Sequence, residues 1–230
     1  MNKQLPLSIQ LNTEATLADF CWGNNGVLQQ QLMLSFTGMS ERLFYIWGNA
    51  GSGKSHLLQA CCQYLSNSQS AIYLPLEILN SWGPRIIDGL EEQLLVCIDD
   101  VETIANQPEW EEALFHLFNR AKENERTILI ITGKLPPSQL HVRLPDLKSR
   151  LSWGLVMQIN ELEDEDKIAT LKIQAAKRGF VLPLSVGQFL INRCSRNMHD
   201  LLGLLNRLDE ASLIAQRKIT IPFVKDILGI

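Results

Sequence analysis

The sequence predicts an α/β fold: a five-stranded parallel sheet with helices on both faces, followed by a small all-helical domain. Three observations predict it. The run Gly48-Asn49-Ala50-Gly51-Ser52-Gly53-Lys54-Ser55 fits the phosphate-loop pattern G-x-x-x-x-G-K-[ST] at every fixed position, between an apolar run and a helix start. Short apolar runs then alternate with helical segments, the pattern of a parallel sheet with crossover helices. After Asn160 every patterned segment is helical, with no strand between them.

The elements follow in order. Residues 1–18 are polar and weakly patterned, so they read as a flexible tail. Asn25 to Phe36 reads as a helix, and Leu43-Phe44-Tyr45-Ile46-Trp47 as a buried strand. The phosphate loop follows, then a helix over His56 to Leu65. Ala71 to Leu76 and Leu94 to Ile98 read as the second and third strands, the latter closed by Asp99-Asp100. Pro108 and the acids behind it open a helix to Lys122, with Trp110, Leu114, Phe115 and Phe118 at the spacing of one helical face. Thr127 to Ile131 and Leu155 to Ile159 are the fourth and fifth strands. Segments 163–178, 184–193, 198–216 and 222–228 form the helical part. The expected domains are therefore 1–18, 19–161 and 162–230.

Composition bounds the function. The chain has 230 residues and a net charge of −4, a poor balance for sequence-independent binding to DNA, which rests on neutralising many phosphates. The five cysteines include no C-x-x-C pair and read as reduced, buried or incidental thiols. Without a signal-like start or an apolar run of membrane-spanning length, the expected location is the cytoplasm.

The chemistry centres on the loop. Its glycines let backbone N–H groups turn toward phosphate oxygens, and the helix N-terminus adds its positive dipole end. Lys54 would reach the β/γ-phosphates and Ser55 would ligate Mg²⁺. Asp99 and Asp100 end an apolar strand, where one acid orders Mg²⁺ through water and the next polarises the attacking water; we assign Asp99 to the metal and Asp100 to the water. Thr132, at the end of the fourth strand, either hydrogen-bonds that water or satisfies the backbone. Arg150, near a helix end, is either a solvated cation favoured by the helix dipole or an arginine finger for a neighbouring subunit's nucleotide. In the tail, Leu5, Leu7 and Ile9 alternate beside Gln4. That is either an apolar terminus or a peptide suited to a hydrophobic pocket on a partner. The four histidines are scattered, and there is no catalytic Ser/His/Asp or Cys/His constellation or metal-ligand cluster.

Taken in this order, the pieces resemble the AAA+ ATPases. The segment Leu147-Lys148-Ser149-Arg150-Leu151-Ser152-Trp153-Gly154-Leu155 is similar to the arginine-finger segment of the DnaA/Hda family. Phe20-Cys21-Trp22-Gly23-Asn24-Asn25 looks like its base-contacting box, and Asn197 to Arg207 resembles its sensor 2 helix. The resemblance covers roughly 20–230. It implies an AAA+ P-loop NTPase domain with a helical lid, binding ADP or ATP with Mg²⁺. The implied nucleotide set is Phe20, Gly23, Asn25, the loop Gly48, Asn49, Ala50, Gly51, Ser52, Gly53, Lys54 and Ser55, then His56, Thr132 and His199. The chain stops at Ile230, short of the helix-turn-helix domain with which DnaA reads DNA, so no direct sequence-specific DNA binding is expected. With its Gln4-Leu5-x-Leu7 tail, the resemblance implies docking on the DNA polymerase III β sliding clamp. Arg150 would then be presented in trans to ATP bound by the DnaA initiator, blocking re-initiation of replication. A homodimer is compatible with this.

Two departures bear on catalysis. His199 stands at the sensor 2 arginine position, with Arg196 nearby, and Lys134 stands where the family usually has an acid. Both imply weak intrinsic ATPase activity. Two other readings share the loop: a helicase-loader-like ATPase, and a metabolic kinase, which the helical C-terminal domain and the DnaA-like segments disfavour.

Overall fold

The computed structural model describes residues 15–66 and 70–229. The first unit contains helix α1 (Gly26–Phe36), strand β1 (Leu43–Trp47), helix α2 (Lys54–Ser66), strand β2 (Ala71–Pro75) and a single-turn helix α3 (Leu76–Leu79). Three 3₁₀ turns follow (Asn80–Trp82, Pro84–Ile87 and Leu90–Glu92), then β3 (Leu95–Asp99), α4 (Pro108–Asn124), β4 (Ile128–Gly133), α5 (Pro145–Leu151) and β5 (Leu155–Gln158). The strands form one parallel sheet in the order β2-β3-β4-β1-β5.

The predicted strands are correct to within two residues at either end. The ends that moved matter: β3 runs through Asp99, and β4 runs on through Thr132 to Gly133, so both site residues are strand residues. α5, the short α3 and the 3₁₀ stretch carry no strong apolar period and were not separately predicted. The structure also corrects the tail boundary. Ala15 is fully buried, and Asp19 N–H donates to the Thr16 carbonyl at 3.2 Å, so 15–18 belong to the folded body. Gln4, Leu5, Leu7 and Ile9 lie outside the described residues.

Each strand of the sheet interior alternates between two apolar faces, because successive side chains point opposite ways. Tyr45, Val96, Ile98, Leu129 and Ile131 join one core with Trp110, Leu114, Leu117, Phe118 and Ala121 of α4. Phe44, Ile46, Leu95, Cys97 and Ile130 are buried on the opposite face, where α2 contributes Leu57, Leu58, Ala60, Cys61 and Cys62. Burial on both faces is why β3 and β4 read as unbroken apolar runs. The cysteines are free, with Cys61, Cys62 and Cys97 buried.

The second unit comprises Cys21–Asn24 and Asn160–Ile230. Its helices are α6 (Asp164–Lys177), α7 (Leu184–Arg193), α8 (Met198–Ala215) and α9 (Ile221–Leu228). Leu171, Val186, Leu190, Leu201, Leu205, Leu208, Phe223 and Val224 make its core. Asn197 caps α8 by accepting from His199 N–H at 2.9 Å, and Thr220 caps α9 by accepting from Phe223 N–H at 3.4 Å.

Candidate functional site

The phosphate loop, the acid pair and Thr132 meet at the carboxyl ends of the central strands, where open α/β sheets bind ligands. The topology brings them together: β4 lies between β1 and β3, pairing Ile46 with Thr132 on one side and Ile98 with Ile131 on the other.

The loop leaves β1 at Gly48, whose N–H donates to the Gly133 carbonyl at 3.2 Å. Gly51 and Gly53 take φ +81° and +94°, a region that L side chains seldom enter, so glycine is needed for the chain to double back. Asn49, Ala50 and Gly51 are exposed, while Ser52 and Lys54 are buried. Lys54 Nζ donates to the Gly48 and Asn49 carbonyls at 2.7 and 2.8 Å, which holds the ammonium inside the curve of the loop. Burial pushes its amine pKa down, opposed by Asp100, Glu102 and Asp99. The Ser52 hydroxyl is buried without a hydrogen-bond partner. A buried orphan beside a sequestered ammonium fits a loop shaped for an oxyanion. Phe20 packs its ring edge toward Gly53 and lies 5.7 Å, centroid to centroid, from His56.

Asp99 is buried, and both its oxygens accept. The Tyr73 hydroxyl donates to Oδ2 at 2.8 Å, and the Thr132 hydroxyl donates to Oδ1. Gln59 and Ser55 border the same Tyr73 phenol, so the two candidate metal ligands, Ser55 and Asp99, flank one hydroxyl. Thr132 in turn accepts from Asp100 N–H at 3.3 Å. Its single proton is therefore committed to Asp99, and it satisfies a backbone donor rather than pointing at open solvent. Of the two roles predicted for Thr132, the geometry matches the structural one, with a carboxylate added.

Asp100 follows β3 in the left-handed region at φ 57°, ψ 55°, a conformation that Asp tolerates better than most residues. Burial, then Asp99, then Glu102 push its carboxyl up to about 6, against the pull of Lys134 and Lys54. The fold thus penalises the ionised form, and stability falls as pH rises from about 4 to about 6. Solvent screening leaves an effect on the order of 1 kcal/mol. Asp100→Asn should flatten the protein's stability profile over that window and raise the neutral-pH Tm by about 2–4 °C in thermal melts. An unchanged profile would show that Asp100 does not carry the penalty.

Lys134 forms an ion pair with Glu102 at 3.3 Å, and its N–H donates to Glu102 Oε2 at 3.3 Å. Glu102 raises the Lys134 pKa accordingly. Neither Tyr73 nor Glu102 was predicted from sequence. Tyr73 reaches the acid pair from β2, 26 residues earlier, and Glu102, two residues after Asp100, meets Lys134 from 32 residues away; only an aromatic hydroxyl in a strand and an acid after the Asp pair hinted at them.

Arg150 is half-buried in the last turn of α5. Its guanidinium lies 4.2 Å from the ring centroid of exposed Trp153 and 5.8 Å from that of Phe115. Lys122 places its ammonium 3.3 Å from the same Trp153 ring.

The remaining candidates divide between the units. Buried Asn25 sits just before α1 in the first unit. Gly23, in the second, faces Leu162 and Asp166. His199 is exposed in the first turn of α8, and Arg196 pairs with Asp164 at 3.5 Å.

The fold and the loop define an AAA+ P-loop NTPase fold with a helical lid. Residues 164–228 match the family model "Hda, lid domain", and residues 86–158 match that of the bacterial DnaA ATPase domain. An uncharacterized protein of Haemophilus influenzae is 47% identical over 231 residues, spanning 100% of both chains. The chain belongs to the DnaA-related, Hda-like family. In fold it resembles domain III of Thermotoga maritima DnaA, with a TM-score of 0.83 at 21% identity over 96% of this chain and 98% of that one. It also resembles AMPPCP-bound DnaA from Aquifex aeolicus, with a TM-score of 0.73 at 22% identity over 85% of this chain and 65% of that one. The Thermotoga maritima RuvB branch-migration motor gives a TM-score of 0.72 at 14% identity, over 96% of this chain and 73% of that one. Among the described residues no helix is long and apolar enough to cross a membrane.

Proposed function

We propose that this protein is a nucleotide-bound negative regulator of replication initiation, acting in the cytoplasm. Its N-terminal tail docks it on the DNA-loaded sliding clamp through Gln4, Leu5, Leu7 and Ile9. The α/β domain holds ADP or ATP, and the lid over 162–230 carries His199 or Arg196 as the sensor 2 residue. Arg150 then acts in trans on ATP bound by DnaA. The observation that carries this reading is Arg150 itself: a cation at the end of α5 supported by aromatic rings, in a chain of the DnaA-related family.

The local chemistry agrees with a weak intrinsic ATPase. The Thr132 proton is committed to Asp99, and Lys134 is paired with Glu102. Among the described residues there is no cluster of three or more His, Cys, Asp or Glu placed to hold a metal ion. Ser55 and Asp99 would hold Mg²⁺ together with the nucleotide's phosphates, the ion supplying charge neutralisation there. Head-to-tail stacking of two AAA+ modules is a heterologous interface. Tethering both partners at one clamp raises their effective concentration, so hydrolysis becomes conditional on a loaded clamp.

The test is hydrolysis of ATP pre-bound to DnaA, with this protein added, with and without DNA-loaded clamp. Stimulation should require the loaded clamp and should disappear when Gln4, Leu5 and Leu7 are changed together to alanine. Stimulation indifferent to the clamp would remove the tail assignment. Co-purification with a replicative helicase instead of the clamp would favour the helicase-loader reading.

A further inference from the structure

We infer that Trp153 is a positioning residue that presents Arg150 and Lys122 together, as a two-cation anion clamp, to the polyphosphate of the nucleotide on the partner AAA+ subunit. The inference rests on the proposed trans action of Arg150 and adds two residues to it.

Trp153 is 41% exposed, an unusual place for a residue with so much apolar surface. Two cations share its ring: the Lys122 ammonium at 3.3 Å and the Arg150 guanidinium at 4.2 Å from the centroid. Among the described residues neither is within ion-pair distance of a carboxylate. That difference decides what the cluster can do. An arginine held by an acid is fixed but neutralised, and it must break the pair to meet another anion. One held on an indole is oriented by the ring quadrupole and keeps its full charge. Two like charges on one ring also repel, and an anion that draws on both relieves that repulsion. A polyphosphate, with several closely spaced negative oxygens, matches a pair of cations better than a single carboxylate does.

The platform itself is fixed by backbone. Trp153 N–H donates to the Arg150 carbonyl at 2.9 Å. The next residue, Gly154, takes φ +69°, and a Cβ there would lie 2.2 Å from the Leu43 carbonyl oxygen, so only glycine fits. The backbone just after Trp153 is thus held against the start of β1, and Lys122 arrives from the last turn of α4, which packs on α5. Two elements, α4 and α5, thus bring their cations to one ring.

The experiment measures clamp-dependent hydrolysis of DnaA-bound ATP with Trp153→Ala, Trp153→Phe and Lys122→Ala, beside Arg150→Ala. Each variant is first checked for an unchanged melt. Trp153→Ala should lower the maximal rate between about ten- and a hundredfold, the cost of a mispositioned group, and Trp153→Phe should restore most of it. Lys122→Ala should raise the concentration of this protein giving half-maximal stimulation and weaken its salt dependence, leaving the maximal rate nearly intact. If Arg150→Ala abolishes stimulation while the Trp153 and Lys122 variants match the unmodified protein, the clamp is wrong and the finger stands. If Arg150→Ala itself has no effect, the underlying reading fails first.

Discussion

Arg150→Ala should cost roughly a thousandfold or more in stimulated hydrolysis of DnaA-bound ATP, while leaving the fold and nucleotide binding of this protein unchanged. The asymmetry follows from where the residue sits. Arg150 is half-buried at the end of α5, and its neighbours are the Phe115 and Trp153 rings rather than a buried acid. Its removal orphans no charge, so the stability cost is limited to cation–π contacts of about 0.5–1 kcal/mol each. The kinetic cost is of another order, because a finger stabilises charge that develops on the transferring phosphoryl group. Single-turnover hydrolysis and a thermal melt on the same sample separate the two. Loss of stimulation with a melt displaced by no more than a few degrees is the expected pair. Full stimulation by the variant would reject the finger.

Thr132→Val should be the most damaging of the small substitutions near the loop, lowering stability by about 2–4 kcal/mol. Valine keeps the shape and removes the hydroxyl. That deletes one of the two donors to the buried Asp99 carboxylate and leaves Asp100 N–H without its acceptor. Hydrogen bonds to a charged acceptor are worth about 1.5–3 kcal/mol, and an unmade buried partner adds its desolvation penalty. For a chain of this size the Tm should fall by about 4–16 °C. Thr132→Ser should recover most of the loss. If the valine variant melts with the unmodified protein, the hydroxyl is not the tie that the geometry makes it.

The two results would also show what sequence can and cannot convey about this site. The loop was legible because a P-loop needs fixed residues at fixed spacing inside a strand-turn-helix. The acid pair was legible because it ends an apolar strand. The helical lid was legible from its uninterrupted helical periodicity. What escaped was whatever depends on which distant strands become neighbours. Tyr73 is 26 residues before Asp99, and Thr132 is 33 residues after it. Nothing local at either position announces a hydrogen bond to that carboxylate. Lys134 looked like a departure from a family pattern; the fold gives it Glu102, 32 residues earlier, as hydrogen-bond and ion-pair partner. Trp153 read only as part of a family-like segment, since a ring shared by two cations has no sequence period. The stretch from 76 to 92 was invisible for another reason: it is one α-helical turn followed by 3₁₀ turns, too short for any apolar spacing to repeat.

The position of β4 between β1 and β3 has a consequence for how the protein is made. The ribosome delivers the loop with β1 and the acid pair with β3, but these stay apart until β4, later in the chain, slots between them. All the strand pairings are parallel and non-local, the slow kind to form. A nascent chain that has not yet received β4 therefore carries the loop and the acid pair without bringing them together. Capacity to retain a nucleotide would be acquired in one step, late, and would report that the whole sheet is complete.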